Sequence, residues 1–456
     1  MGWLDKLFGN EPSVPDITVP TKTVTAIFEG LEGIRFGRYT DTNKTFEKTK
    51  SWFLADDHFK AKEYPAAFAA FFDFIRDDAE DNVLFVPDGN AFRFELVQGS
   101  KKLIGTSDGT TVTARISIAR MEKPSNAAMR RLLELNYVLY YSHSALDPDQ
   151  ILCMLFETPV EMASPARLYY AFREMSVFAD QQDDLLVADF SALKPIDLGH
   201  IVPMPEQEVT IKYKWFRKWI QEALDHTKDL NPDSFSGAIA YIYLSLLYRI
   251  DFLIVPQGKL QSDLDSINTL YWTRKDEVPI VERNSMMKEG IAKLLDISPE
   301  EFRNGMYRAK GTFSVNPLAS PDKLRDNIIG ANNDAAWYIE NKYPALALLI
   351  NEYGIVYNQY AFSQARILIE LSLIYMMVVH AEFFKDLGLK TPLVIESSGL
   401  PDQERIIQAI NESISKWQEK FVALEWDHNK INYTTVWDFA RSFSDQLHSL
   451  NLEVKR

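Results

Sequence analysis

Asn82-Val-Leu-Phe-Val-Pro-Asp-Gly-Asn-Ala-Phe-Arg-Phe-Glu-Leu96 decides how the first half of this chain folds. Before it, from about Lys48 to Asp78, apolar residues recur at helical spacing; from Asn82 the period becomes two. Val83, Phe85 and Pro87 lead to a turn at Asp88-Gly89-Asn90, and Phe92, Phe94 and Leu96 then alternate with Arg93 and Glu95. A second alternating run, Thr111 to Ala119, follows the turn Ser107-Asp108-Gly109. Alternation gives each strand one apolar face, so these segments predict a three-stranded antiparallel meander that needs helices to cover it.

The flanks supply those helices. Upstream, Leu54, Ala55, His58, Tyr64, Ala67 and Phe71 follow the spacing of one tetratricopeptide hairpin. No second copy follows at about 34 residues, so the segment predicts two packed helices and no solenoid. Downstream, a helix is expected after Ser125 with Met129, Leu132, Leu133 and Leu135, then strands over Tyr137 to Ser144 and Ile151 to Glu157 around the turn Asp147-Pro148-Asp149. Ser164 as N-cap and Pro165 at the first helical position open the next helix, with Leu168, Phe172, Met175 and Ala179 on its inner face. The expected order is helix, three strands, helix, two strands, helix. This is an α+β domain over residues 46–205, preceded by an extended arm over 1–45 that holds Pro12, Pro15 and Pro20.

That order, with the runs Leu132-Leu133-Glu134-Leu135-Asn136, Ala145-Leu146-Asp147-Pro148-Asp149, Phe178-Ala179-Asp180 and Asp183-Asp184-Leu185-Leu186, resembles the YbjN-like group of bacterial proteins, which share the type III secretion chaperone-like fold. The resemblance covers about residues 64–190. It implies a domain whose relatives bind protein segments and often dimerise, and it brings no catalytic residue or cofactor. Dedicated secretion chaperones are small single-domain proteins, so secretion itself is not carried over.

Beyond Pro203 and Pro205 the strand signal disappears. Helices are expected near 209–228, 235–254, 258–273, 284–295, 299–310, 321–341, 345–352, 358–385, 402–423 and 434–450, making 206–456 an all-α domain. Ser298-Pro299-Glu300-Glu301 is a complete capping box. Ile242-Tyr-Leu-Ser-Leu-Leu-Tyr248 is echoed by Ile369-Glu-Leu-Ser-Leu-Ile-Tyr375. Ser234 to Tyr248 and Ile367 to Val379 are apolar but short of the ~20 residues a membrane span needs, so both read as core helices. Trp3, Leu4, Leu7 and Phe8 would share one face of a short helix, and no secretory signal precedes them, so a cytoplasmic protein is expected.

Composition removes further classes. Of 456 residues, 64 are acidic and 49 basic, for a net charge of -15. Wholesale nucleic-acid binding is disfavoured by that balance, because phosphate contact needs a concentrated positive surface. One cysteine, Cys153, forms no intramolecular disulfide and no thiolate zinc site.

The motif matches have plain readings. Gly105-Thr-Ser107-Asp-Gly109 has the letters of a nucleophile elbow, but a strand follows it where the elbow needs a helix, so it predicts a hairpin turn. His380-Ala-Glu382 matches a zinc-deaminase fragment whose cysteine ligands are missing, leaving a hydrogen-bonded core histidine. Gly290 to Phe302 resembles a helix-turn-helix, with Arg303, Asn304, Tyr307, Arg308 and Lys310 as contacts, but Glu300 and Glu301 stand where phosphate would approach. The acidic runs Asp77, Asp78, Glu80, Asp81 and Asp180, Asp183, Asp184 read as solvated helix ends. Lys212, Lys214, Trp215, Arg217, Lys218 and Trp219 interleave cations and aromatics on one helix and are the candidate partner-binding residues.

The expectation is a non-catalytic, cofactor-free protein-binding protein, chaperone-like or adaptor, whose partner is another protein or its own second copy. One alternative is an enzyme with a motif-less site in the helical domain, favoured by a polar pocket holding two carboxylates or a histidine of shifted pKa. The other is a DNA-contacting regulator through residues 284–310.

Overall fold

The computed structural model describes residues 28–78, 80–273 and 277–455. The apolar face at Trp3, Leu4, Leu7 and Phe8, and most of the expected arm, lie outside them. The first half is a mixed α/β unit. Helices α1 (Phe46–Lys60) and α2 (Tyr64–Ile75) form the expected pair, α1 capped by Thr45, whose side chain accepts from the Lys48 N–H. Strands β1 (Val83–Asp88), β2 (Ala91–Gln98), β3 (Lys101–Ser107), β4 (Thr111–Met121), β5 (His143–Leu146), β6 (Ile151–Pro159) and β7 (Leu193–Pro195) build one antiparallel sheet. Its order is β1-β2-β3-β4-β6-β5, and β7 pairs with the far end of β4 at Ala119 to Met121. Helix α3 (Asn126–Asn136) precedes β5, and α4 (Pro165–Asp189) follows β6, capped by Ser164 as expected. Phe72, Phe92, Phe94, Phe156 and Phe172 pack α2 and α4 onto the sheet, with the Phe72 and Phe172 rings 4.8 and 4.9 Å from Phe94.

The meander has four strands, one more than the alternation predicts. Strand β3 was hidden because its inward positions are Lys101, Leu103, Gly105 and Ser107, only one of them a large apolar residue. Each has a reason. The Lys101 ammonium is fully buried against Asp183 at 2.8 Å and the Ile118 carbonyl at 2.9 Å. At Gly105 a Cβ would sit 2.3 Å from the Phe94 ring and 2.4 Å from the Thr113 carbonyl, so only glycine fits there. The turn Asp108-Gly109 joins β3 to β4; Gly105 to Ser107 belong to β3 itself, so only the last two residues of the expected Gly105–Gly109 turn form the connection.

The second half is mainly helical: α5 (Glu206–Lys228), α6 (Ser236–Arg249), α7 (Gly258–Trp272), α8 (Ile280–Lys293), α9 (Pro299–Asn304), α10 (Pro321–Glu340), α11 (Pro344–Ala361), α12 (Arg366–Val379), α13 (Ala381–Leu387), α14 (Gln403–Trp417) and α15 (Val436–Leu447). Two details differ from the expectation, and a third, a helix that ends where expected, bears on the membrane reading. Helix α9 stops at Asn304, and Tyr307–Arg308 becomes strand β9, paired with β8 (Val202–Pro203), so the half is not purely helical. Helix α11 runs on to Ala361 before a break. A π turn, Ile250–Ile254, extends α6, so that Ser236–Ile254 is one helix long and apolar enough to cross a membrane; most of it is buried in the core. Its charged residues are matched internally, Arg249 to Glu352 at 2.6 Å and Asp251 to Arg38 at 2.6 Å.

The echoed segments are α6 and α12, and both contact α11. Ser245 donates to Glu352, and Ser372 accepts from the Gln359 side-chain amide, two positions of α11 spaced by two turns. Residues of each half enter the other's core. Leu31 and Phe36 of the arm join the helical core, and Phe313 joins the core of the sheet unit. Around Phe313 the Thr312 and Phe313 N–H groups both donate to the Gln98 side chain, at 3.0 and 2.9 Å.

Candidate functional site

Where the two halves meet they leave a cleft of about 310 Å3. Its walls are the last turns of α4, the β2–β3 turn, the start of α7, and the segments around Arg38 and Arg308. Apolar Leu185, Met204, Val255 and Val315 share it with a dense set of charges. Arg38 grips Asp251 through Nε and a terminal nitrogen at 2.8 and 2.6 Å, reaches Asp265 at 3.4 Å, and lies over the Tyr360 ring. Arg308 bonds Glu208 at 3.0 Å, and Glu208 also pairs with the buried Lys212 at 3.0 Å. Arg35 bonds Glu80 and the Ala309 carbonyl.

The α4 wall differs in character. Asp180 accepts from the Ser100 N–H at 2.7 Å, and Asp183, 3% exposed, accepts from the Ser100 hydroxyl at 2.6 Å. Asp184 lies across from Gly258, the first residue of α7. Burial, with Asp183 close by, pushes Asp180 up to about 7 and Asp184 up to about 6. The Tyr307 phenol is pushed up by burial and by the same aspartates. The reading of Asp180, Asp183 and Asp184 as solvated helix ends is therefore corrected. Asp183 falls in the stripe of Phe172, Met175, Ala179 and Leu186, the buried face of α4, and that spacing was the signal in the sequence.

A second feature lies on the sheet unit, in residues 137–142 between α3 and β5. Leu139 packs against the core. The Glu174 carboxylate accepts from the N–H groups of Tyr140, Tyr141 and Ser142 at 2.7, 3.0 and 2.9 Å, so the loop is pinned to α4. Asn136 accepts from the Ser144 N–H at 2.6 Å and donates to its carbonyl at 3.4 Å, closing the outer edge of β5 there. On this fixed loop Tyr137 and Tyr140 are 93% and 92% exposed. Leu133, Val138 and Tyr170 are exposed beside them, and the Tyr141 and Tyr170 rings stack at 6.5 Å. The strand expected over Tyr137 to Ser144 is corrected: β5 begins only at His143, because the N–H groups of residues 140–142 are taken by Glu174.

The six residues singled out on α5 occupy a different place. Lys212 and Trp219 are buried, Lys212 donating to the Ile254 carbonyl at 2.9 Å. Lys214 and the Trp215 indole both bond Asp386 at 2.8 Å, Arg217 bonds the Leu295 carbonyl, and Lys218 lies over the Trp215 ring at 4.0 Å. The helix is thus committed mainly to internal contacts. In the 284–310 segment the second helix is six residues long, Arg303 pairs with Glu206 and Arg308 with Glu208. His380 is buried, bonds Glu352 at 2.9 Å, and is lowered by that burial. Among the described residues no group of three or more His, Cys, Asp or Glu side chains forms a metal site. No family model, curated protein or solved structure matches the chain.

Proposed function

We propose that this chain is a non-catalytic protein-binding adaptor that takes its partner, another protein or a second copy of itself, on the tyrosine loop of the sheet unit. The observation that carries the reading is the near-complete exposure of Tyr137 and Tyr140 on a loop whose backbone is fixed by Glu174. With the loop backbone already fixed, a partner that covers these rings orders only their side chains, each with two torsions, and gains large apolar contact in return. Asn136 blocks strand addition at Ser144, so docking is through side chains. The net charge of -15 favours partners with a basic face. The resemblance of residues 64–190 to YbjN-like, secretion-chaperone-like proteins supports the same reading, since that resemblance implies binding of protein segments.

The test compares the full chain with a Tyr137→Ser/Tyr140→Ser double variant in sedimentation and affinity capture. Self-association or a stoichiometric partner present with the parent and lost with the variant is expected. A monomer that retains no partner, or one that retains the same partner in both forms, would sink the proposal.

A further inference from the structure

The cleft between the halves is separate from the tyrosine loop, and its charges do not balance locally. Among its basic residues Arg38 is matched to Asp251 and Asp265, Arg308 to Glu208, and Arg35 to Glu80, while Lys310 lies 3.8 Å from Asp81. The nearest ammonium to the α4 acids, that of Lys101, is turned to Asp183 at 2.8 Å and to two backbone carbonyls. Asp180 and Asp184 are left without an ion-pair partner among the described residues, one helical turn apart and on the same wall. The side-chain oxygen of Gln182, also on that wall, is buried and accepts no hydrogen bond.

The backbone opposite is shaped to these carboxylates. Gly99 and Gly258 both have positive φ, +55° and +59°, and a Cβ on them would fall 1.8 Å from Asp180 and 2.7 Å from Asp184. Around the pair stand Asp183 on the same helix, Lys101 on β3, Tyr307 and Arg308 on β9, Lys310 beyond it and Glu208 on α5. We propose that the cleft binds a small linear organic dication, a diamine or polyamine, with one ammonium on Asp180 and the other on Asp184. The methylene chain would lie against Leu185, Met204 and Val255, and the Gln182 oxygen would gain a donor. A divalent metal ion fits less well, because the described residues gather no set of three ligands. Two carboxylates near 7 and 6 hold protons close to neutrality, and a bound dication relieves their repulsion, so affinity rises with pH across that interval.

Calorimetric titration of the full chain with putrescine and with spermidine, near pH 8 and near pH 5.5, tests this. Saturable binding is expected near pH 8, weakened about tenfold or more near pH 5.5. Asp184→Asn, whose carboxylate makes no hydrogen bond among the described residues, and Ser262→Phe, which adds a ring to the α7 wall of the cleft, should each weaken binding by about tenfold or more. Circular dichroism identifies a variant that has unfolded, and the other then decides. Absence of saturable binding of either amine at about millimolar concentration, or an affinity unchanged in the folded variants, would overturn the proposal.

Discussion

Asp180 makes the cleft's cost to the fold measurable. In the unfolded chain its carboxyl titrates near the ordinary aspartate value of about 4, whereas in the fold burial pushes it up to about 7. Below about pH 4 the group is neutral in both states and its contribution is at its best. Between about 4 and 7 the unfolded chain loses the proton first, so stability falls as pH rises, and above 7 the full cost is present. At about 1.4 kcal/mol per pH unit, that interval sets a ceiling of about 4 kcal/mol. Asp180 is half-buried, so water in the cleft screens it, and about 2 kcal/mol is the expected figure. Asp180→Asn keeps an oxygen to accept from Ser100 and removes the charge. The variant should be more stable than the parent by about 2 kcal/mol near pH 8 and nearly equal to it near pH 4.5. Urea denaturation of both proteins across that range gives the difference directly and cancels most other titrating groups. A variant equal to or less stable than the parent near pH 8 would refute the argument, because the charge would then carry no buried cost.

Three further outcomes follow from named contacts. Glu352→Ala leaves the buried Arg249 without its carboxylate and should cost about 3–5 kcal/mol in urea denaturation. Burial opposes ionisation of Glu352, but Arg249 and His380 outweigh it and hold the carboxyl down at about 2; its contribution is full above its ordinary 4.5 and fades as pH falls through about 2. Asn136→Ala opens the β5 edge at Ser144, so melting should show a loss of about 1 kcal/mol and light scattering an increase in aggregation. Gly99→Ala should destabilise by about 2 kcal/mol or more, because its Cβ would meet Asp180, whereas Gly89→Ala, with φ +59° and open space, should cost about 1 kcal/mol from the backbone alone.

Local pattern carried the strands and helices that obey a simple period. Phe92, Phe94 and Leu96 alternate and are buried, and Ser164-Pro165 and Ser298-Pro299 begin helices where capping requires. Strand β3 escaped because its inward residues are chosen for long-range reasons: Lys101 for Asp183, Gly105 for the Phe94 ring. Helix α9 ends early because the chain at Tyr307 finds Val202–Pro203 about a hundred residues upstream. The cleft was still less legible. Its parts come from residues near 38, 99, 180, 204, 258 and 308, and their charges acquire meaning only once brought together. On α5 the cation and aromatic pattern was real, but Asp386 and Glu208, which consume it, lie outside any local window for the former and inside a buried turn for the latter. The polar pocket with two shifted carboxylates that would favour a chemical role does exist, lying between the halves and not within the helical one.

The central claim is that a protein partner docks on Tyr137 and Tyr140. A photo-crosslinking residue placed at position 140 of the full chain in living cells, with position 396 of the helical half as control, tests it most directly. A discrete protein adduct is expected from position 140, homotypic or with a second protein, that disappears when Tyr137 is replaced by Ser and is absent from position 396. No adduct from position 140, or the same adducts from both positions, would contradict it.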